Sequence, residues 1–204
     1  MANEEPGLNG VSGHPLQLLA GWVRAAEAAG AGSPRCFTFT TASADGAPHA
    51  RTVLATGIDD TAVRFNTSRP SAKTSDLASN PLAAGVFFWP SLVRQVTLHG
   101  RAVELPADES RPAYPAQSPN LRALAWAYDE LGATEGDAVD PGAVRAAFER
   151  YLAEDPPEPP PSWTTFALLP DRVDAWWMPD GANVATRARF ALTADGWSQR
   201  YVLP

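Results

Sequence analysis

The sequence predicts a mainly β protein with flanking helices (an α+β chain), its strands forming an antiparallel barrel. Three observations carry this. Short stretches alternate apolar and polar residues at the period of a strand. Most are joined by turns such as Asp45-Gly46 or Pro90-Ser91-Leu92, too short for helical crossovers, so hairpins are favoured over a doubly wound sheet. The 204 residues are 45% hydrophobic with seven Trp and eight Phe, enough for a substantial core.

The elements follow in order. Residues 1–13 carry Gly, Asn, Ser and acids without apolar periodicity and are expected to be disordered. Pro15 opens a helix to about Ala29, with Leu16, Leu19, Trp22, Val23 and Ala26 on one face. Strands are expected at 36–42 and 48–56 as a hairpin, then at 62–67. A short helix over 71–79 stops at Asn80-Pro81. Strands at 83–89 and 94–104 follow. Residues 107–131 read as helix interrupted by Pro112, Pro115 and Pro119, and 141–154 as an amphipathic helix beyond a Gly- and acid-rich loop. The tract Pro156–Pro161 is expected to be extended and stiff. The tail returns to strands at 163–169, 172–178, 184–192 and 197–203, and its tryptophans (Trp163, Trp176, Trp177, Trp197) are expected in the core or at an interface.

Composition narrows the function. A net charge of −7 argues against nucleic acid, which needs a basic footprint. The single cysteine, Cys36, leaves no intramolecular disulfide and no Cys-cluster metal site. No basic-then-apolar leader pattern begins the chain and no segment approaches a membrane span, so a soluble, cytoplasmic setting without membrane partners is expected. His14, His49 and His99 are too scattered to suggest a metal.

One position stands out. Lys73 is the only lysine beside fifteen arginines. It follows a strand, lies near Thr67, Ser68 and Ser71, and opens a helix. Backbone N–H groups, hydroxyls and a helix N-terminus all favour an anion such as phosphate.

The surrounding fragments together resemble the pyridoxamine 5′-phosphate oxidase family of FMN-binding split barrels. The marks are Thr41-Ala-Ser-Ala-Asp-Gly-Ala-Pro-His-Ala-Arg-Thr-Val-Leu54, Phe65-Asn-Thr-Ser-Arg-Pro-Ser-Ala-Lys73 and Leu77-Ala-Ser-Asn-Pro81. Phe87-Phe-Trp-Pro90, Arg94-Gln-Val96, Gly100-Arg101, Pro170-Asp-Arg-Val-Asp-Ala-Trp176 and the ending Leu203-Pro204 continue the pattern. Each is weak alone; their order and spacing, from about residue 15 to the end, are specific. The resemblance implies one antiparallel split-β-barrel domain over 14–204, C-terminal dimerisation strands included. It also implies a homodimer with FMN across the subunit interface.

By the same resemblance, Arg51 matches the arginine that grips the FMN phosphate, a task suited to a guanidinium fork. Thr52, Val53 and Leu54 would lie along the flavin. Asn66, Thr67, Ser71 and Lys73 fall on the phosphate side. Gln95 matches a glutamine at the polar edge of the isoalloxazine. Trp176 matches a flanking tryptophan, with Trp177 as the alternative. Arg187 matches an arginine that reaches the flavin of the other subunit.

Departures from the pattern concern the substrate. The family's Arg-Leu-His-Asp-Arg is Asn183-Val-Ala-Thr-Arg187 here. The substrate-phosphate lysine is Thr56, and the Tyr, Arg and Ser of that pocket fall near Ala113, Gln117 and Leu121. On the cofactor side Ala72 stands for an arginine, Asn66 for a tyrosine, and Glu130-Leu131 for Gln-Ser. The expectation is an FMN-dependent oxidase or dehydrogenase. It would take hydride from a small cyclic or aromatic, non-phosphorylated metabolite of secondary metabolism, with O₂ as acceptor. Tyr114, Arg122, Asn183, Ala185 and Arg189 are the expected substrate contacts, and some family members oxidise reduced tricyclic phenazine intermediates. Two alternatives stand beside it: a vitamin B6 phosphate oxidase with a shifted pocket, and a flavin- or deazaflavin-binding protein without oxidase turnover.

Overall fold

The computed structural model describes residues 13–132, 137–179 and 181–204. The expected N-terminal disordered segment, Gly13 apart, and the middle of the 132–140 loop lie outside the described residues. Helix α1 (Pro15–Ala28) begins on Pro15 and buries Leu16, Leu19, Trp22, Val23 and Ala26, the stripe its spacing predicts. Then come β1 (Cys36–Ala42), β2 (Pro48–Ile58), β3 (Val63–Ser68), α2 (Ala72–Ser79), β4 (Leu82–Trp89) and β5 (Arg94–Glu104). Three helices follow, α3 (Ala107–Ser110), α4 (Pro119–Leu131) and α5 (Pro141–Glu154). Strands β6 (Trp163–Trp177), β7 (Thr186–Thr193) and β8 (Gly196–Val202) end the chain. No helix among the described residues is long and apolar enough to cross a membrane.

All pairings are antiparallel, in the order β3-β2-β1-β4-β5-β6-β7-β8. An additional pairing of β3 with β6 closes the first six strands into a barrel, and β7 and β8 extend the sheet beyond it. Aromatic rings fill the interior. Phe37 stacks on Phe87 at 4.7 Å, and Phe39 meets Phe65 at 4.6 Å. Trp22 of α1 seals this core edge-on against Trp89 and Trp177, at 6.5 and 6.2 Å. Such contacts add to the area term, roughly 0.5–1.5 kcal/mol per well-placed pair.

The structure corrects the sequence reading in three places. The two strands expected at 163–169 and 172–178 are one, β6. Its first half pairs with β3 and its second with β7, so the strand changes lateral partner around Pro170. A proline is tolerated there because neither neighbour needs its N–H. The prolines in 107–131 do more than interrupt a helix: Pro112 falls in a 3-10 turn and Pro119 sits at the start of α4 behind the cap Ser118. Strand β7 starts at Thr186 rather than 184.

Opposite Pro170, β5 makes a bulge between His99 and Gly100. A Cβ on Gly100 would stand 2.0 Å from the Leu169 carbonyl oxygen and 2.7 Å from Pro170 Cα. Both are backbone atoms, so the strands would have to part. Gly100→Ala is expected to destabilise the protein by roughly 2–3 kcal/mol, read as a lower urea midpoint. An unchanged midpoint would mean the two strands separate without cost.

Candidate functional site

The barrel is open between β2 and β3. These strands pair only at Ala55↔Phe65, Gly57↔Arg64 and Ile58↔Val63. Beyond that point Asn66, Thr67 and Ser68 pair with β6, while β2 continues along β1. Residues 51–54 therefore face the opening with one strand edge. The Ala55 N–H donates to the Arg35 carbonyl on the β1 side at 2.9 Å. Antiparallel alternation then turns the backbone polar groups of Thr52 and Leu54 toward the opening.

A cavity of about 740 Å³ fills this split, roofed by α4 and the start of α5. That is within the range of small-molecule sites. It gathers Arg51, Thr52, Val53, Leu54, Asn66, Thr67, Ser71 and Lys73, eight of the eleven residues the sequence assigned to a cofactor.

One end of the cavity is cationic and rich in hydroxyls. Lys73 Nζ donates to Thr67 Oγ1 (3.2 Å) and Ser71 Oγ (3.1 Å), at the N-terminus of α2. Thr74 Oγ1 accepts from the Ser71 N–H at 2.9 Å and fixes that turn. Arg51 Nη1 donates to Thr41 Oγ1 (2.8 Å) and the Phe39 carbonyl (3.2 Å). Asn66 Nδ2, Ser162 Oγ and Trp163 Nε1, all of lining residues, are buried and make no hydrogen bond to the protein. Buried polar groups of that kind ordinarily have partners, so the wall has the donor set of an anion and polar-ligand site. The opposite end is built from Leu121, Leu124, Tyr128, Leu131, Val139 and Val144.

The sequence missed the acid behind this end. Asp76 lies three residues after Lys73, so it shares that helix flank, yet it is only 5% exposed. Its Oδ2 accepts from Thr41 Oγ1 at 2.6 Å and faces His49 Nδ1 at 2.9 Å. Burial works against its ionisation. The hydrogen bonds from Thr41 and His49 and the charges of His49 and Arg51 outweigh burial and hold the carboxyl below its ordinary range. Ser162 and Trp163 were missed too, and their position after a proline tract carried no signal of a cavity wall.

Gln95, Trp176 and Arg187 do not line the cavity. They form one row across the sheet, through the pairs Gln95↔Trp176 and Trp176↔Arg187. Directly paired residues share a face. Their sequence neighbours Val96, Ala175 and Ala188 are buried inside, so this row lies on the outer face. Trp177 packs in the core against Trp22, which leaves Trp176 as the outward tryptophan of the two. Beside the row, Asp174, 2% exposed, accepts from Arg189 Nε (2.7 Å) and Nη2 (3.0 Å) and from Arg187 Nη2 (2.8 Å).

The residues expected to hold a substrate do not converge within one chain. Tyr114 is fully buried, edge-on to Trp163 at 5.1 Å. Arg122 is tied to Asp155 Oδ1 (3.0 Å from Nε) and to the Pro115 carbonyl (3.1 Å). Asn183 and Ala185 lie in the turn before β7, and Arg189 is held by Asp174. Glu130 joins α4 to Arg150 and Tyr151 of α5, while Leu131 lines the cavity.

A family model described as pyridoxamine 5′-phosphate oxidase matches residues 24–177, from α1 through the end of β6. The chain belongs to the pyridoxamine 5′-phosphate oxidase family. A pyridoxine/pyridoxamine 5′-phosphate oxidase of Azorhizobium caulinodans is 38% identical over 163 residues, 79% of this chain and 76% of that one. One from Burkholderia cenocepacia is 34% identical over 187 residues, 90% and 86% of the two chains. Among solved structures, PhzG from Burkholderia lata, in complex with tetrahydrophenazine-1-carboxylic acid, superposes with a TM-score of 0.86. It has 25% identity, covering 98% of this chain and 97% of that one. A pyridoxamine 5′-phosphate oxidase-related, FMN-binding protein from Nostoc punctiforme shares the fold at a TM-score of 0.68 and 23% identity, over 93% and 96% of the two chains.

The Asp174 clamp makes a prediction about acid. Burial raises the Asp174 pKa, but hydrogen bonds from Arg189 and Arg187 and their charges pull it below the ordinary value of 3.8. A carboxyl depressed on folding adds stability that is fully present above that ordinary value and is lost as pH falls through the folded one. Asp174→Ala should cost about 2–3 kcal/mol at pH 7. This is the low side for a broken buried pair, since Arg187 and Arg189 keep 31 and 27% of their side-chain surface in water. The difference from wild type should shrink as denaturation is followed below pH 4; a constant difference would mean the clamp is not electrostatic.

Proposed function

We propose that the chain binds FMN between two copies of itself and is an oxidase of a small cyclic or aromatic metabolite without a phosphate, in secondary metabolism. The cavity's donor set fits the cofactor. Arg51 and Lys73, with Thr67 and Ser71, would hold the phosphate by charge-assisted hydrogen bonds. Backbone groups of Thr52 and Leu54, with Val53, would run beside the ring system, and Asn66 would supply a further donor. Bound there, FMN supplies the acceptor for a hydride from a substrate C–H, with O₂ taking the electrons afterwards. The protein's own part is to orient the substrate and exclude water, which demands position more than an acid or base.

The homodimer is supported by the split between the two residue groups. Gln95, Trp176 and Arg187 sit on the outer face, away from the cavity that takes Arg51 and Lys73. A second copy packed on that face would bring its row to the first copy's cavity. Phe88, exposed and paired with Gln95 on that face, would then be covered.

One observation carries the choice of substrate: where the cations are. Arg51, Arg69 and Lys73 are the cations lining the cavity, on β2, the turn after β3 and α2, and Arg69 is paired with Glu104. The α4 side presents Gln117, Leu121, Leu124, Tyr128 and Asp129, and Thr56 faces it from β2. A second phosphate there would be desolvated beside an acid without a counter-charge, which is strongly unfavourable. An uncharged or weakly polar ring would instead bury against leucines. The tricyclic molecule bound by PhzG has such a ring, with a carboxylic acid and no phosphate.

The second reading, oxidation of pyridoxine or pyridoxamine phosphate, is favoured by the names of the relatives at 34–38% identity. Turnover separates the two. With bound FMN verified by its visible spectrum, pyridoxine phosphate is expected to give no O₂ consumption above background; measurable steady turnover would replace the first reading with the second. Arg51→Ala and Lys73→Ala should each weaken FMN binding by roughly 1.5–3 kcal/mol. Unchanged affinity in both variants would remove the phosphate assignment. Dilution that dissociates the dimer should release FMN, and a monomer that keeps its flavin would refute the shared site.

A further inference from the structure

The carboxylate of Asp76 is in neither the cavity lining nor any role assigned so far. It sits behind the lining, on α2, with both neighbours of its Oδ2 drawn from the β1–β2 hairpin. Thr41 Oγ1, 2% exposed as a residue, donates to it at 2.6 Å and itself accepts from Arg51 Nη1 at 2.8 Å. Arg51 Nη2 is 4.0 Å from the same oxygen. His49, two residues before Arg51 on β2, faces it from the solvent side at 2.9 Å. The ionisable groups facing Asp76 are thus Arg51 and His49, both on β2.

We propose that Asp76 is a positioning residue for the phosphate-binding arginine. It holds the Thr41 hydroxyl in one orientation, so that the hydroxyl oxygen accepts from Arg51 and fixes the guanidinium at the cavity wall. Thr41 can give its single proton to only one acceptor. While that acceptor is Asp76, its lone pairs point to Arg51. The arrangement resembles the outer-shell hydrogen bonds that orient ligating groups elsewhere. The inference rests on the proposed FMN site, and it adds that the phosphate-specific part of binding depends on a residue that never touches the ligand.

The test compares two ligands that differ only in the phosphate, FMN and riboflavin, by fluorescence titration of the full chain. In wild type the FMN-to-riboflavin affinity ratio reports the phosphate contacts. Asp76→Asn should lower that ratio about tenfold, the scale of one charge-assisted hydrogen bond, with riboflavin affinity little changed. A merely structural role would weaken both ligands together and leave the ratio alone. Thr41→Val should reproduce the loss through the same relay, and Thr41→Ser, which restores the hydroxyl, should recover it. This second pair serves if Asp76→Asn does not fold. In an Arg51→Ala background Asp76→Asn should have no further effect on the ratio.

A ratio within twofold of wild type in both Asp76→Asn and Thr41→Val, while Arg51→Ala collapses it, overturns the positioning role and leaves the FMN site standing. A ratio that Arg51→Ala does not change, or a wild-type protein that binds neither ligand, overturns the FMN site and the positioning role with it.

Discussion

The site depends on a conflict over one strand. Strand β3 is six residues long and has two suitors, β2 on one edge and β6 on the other. Along Val63–Phe65 it satisfies both. From Asn66 to Ser68 it keeps only β6, and β2 diverges with β1. Edge groups left in that way need other partners. The barrel remains closed by β6 and is nevertheless open at one seam, so a polar cavity can sit against the strands without interrupting the aromatic core beneath it. The proline at the partner change of β6 and the bulge at Gly100 are the local cost of letting one strand serve β3 and β7 in turn.

The seam also sorts the chemistry of the cavity. What comes from β2, β3 and the start of α2 is polar: an arginine, a lysine, threonines, serines and strand-edge amides. What comes from α4 is apolar apart from Asp129, because α4 must cover the opening and its inward positions follow helical spacing. Leu121, Leu124, Ala125 and Tyr128 stand at i, i+3, i+4 and i+7 and present one face. The positions that would bring a cation to that face are Gln117 and Leu121. Arg122, the arginine of that turn, points instead to Asp155 and helps close α4 on the segment after α5. The helix thus spends its positive charge on holding itself to the fold.

Much of this was legible in the chain. Hairpin turns and alternating runs located the barrel strands, and the lone lysine beside hydroxyls located the cationic end of the cavity. The residues assigned to a cofactor that reach the cavity are local in sequence, in 51–54 and 66–73, where a strand edge and a helix start announce themselves. Three things were hidden. That β6 is one strand was hidden because Pro170-Asp171 reads as a turn unless one knows that the lateral neighbours change there. Arg122 and Tyr114 looked available because the ion pair to Asp155 spans 33 residues and the ring contact to Trp163 spans a helix pair. Asp76 drew no notice in the sequence, since nothing local indicates that Thr41 and His49 fold onto it.

The two arginines that sequence matching assigned to a flavin now share a structural property. Arg51 is backed by Asp76 through Thr41, and Arg187 is backed directly by Asp174. Each of these aspartates is at most 5% exposed. An unsupported arginine carries about 2 kcal/mol of side-chain entropy and loses much of it when it grips a ligand. One already fixed by a buried carboxylate has lost it on folding, so less of the ligand's interaction energy goes to ordering the protein. The carboxylates also lower the cost of keeping a partly buried cation in place before any anion arrives. The chain has therefore invested folding energy in the orientation of two side chains on opposite faces of the barrel. Neither orientation is needed to fill the core, and both would be used at once in the proposed dimer, where an outer face of one copy meets the open seam of another.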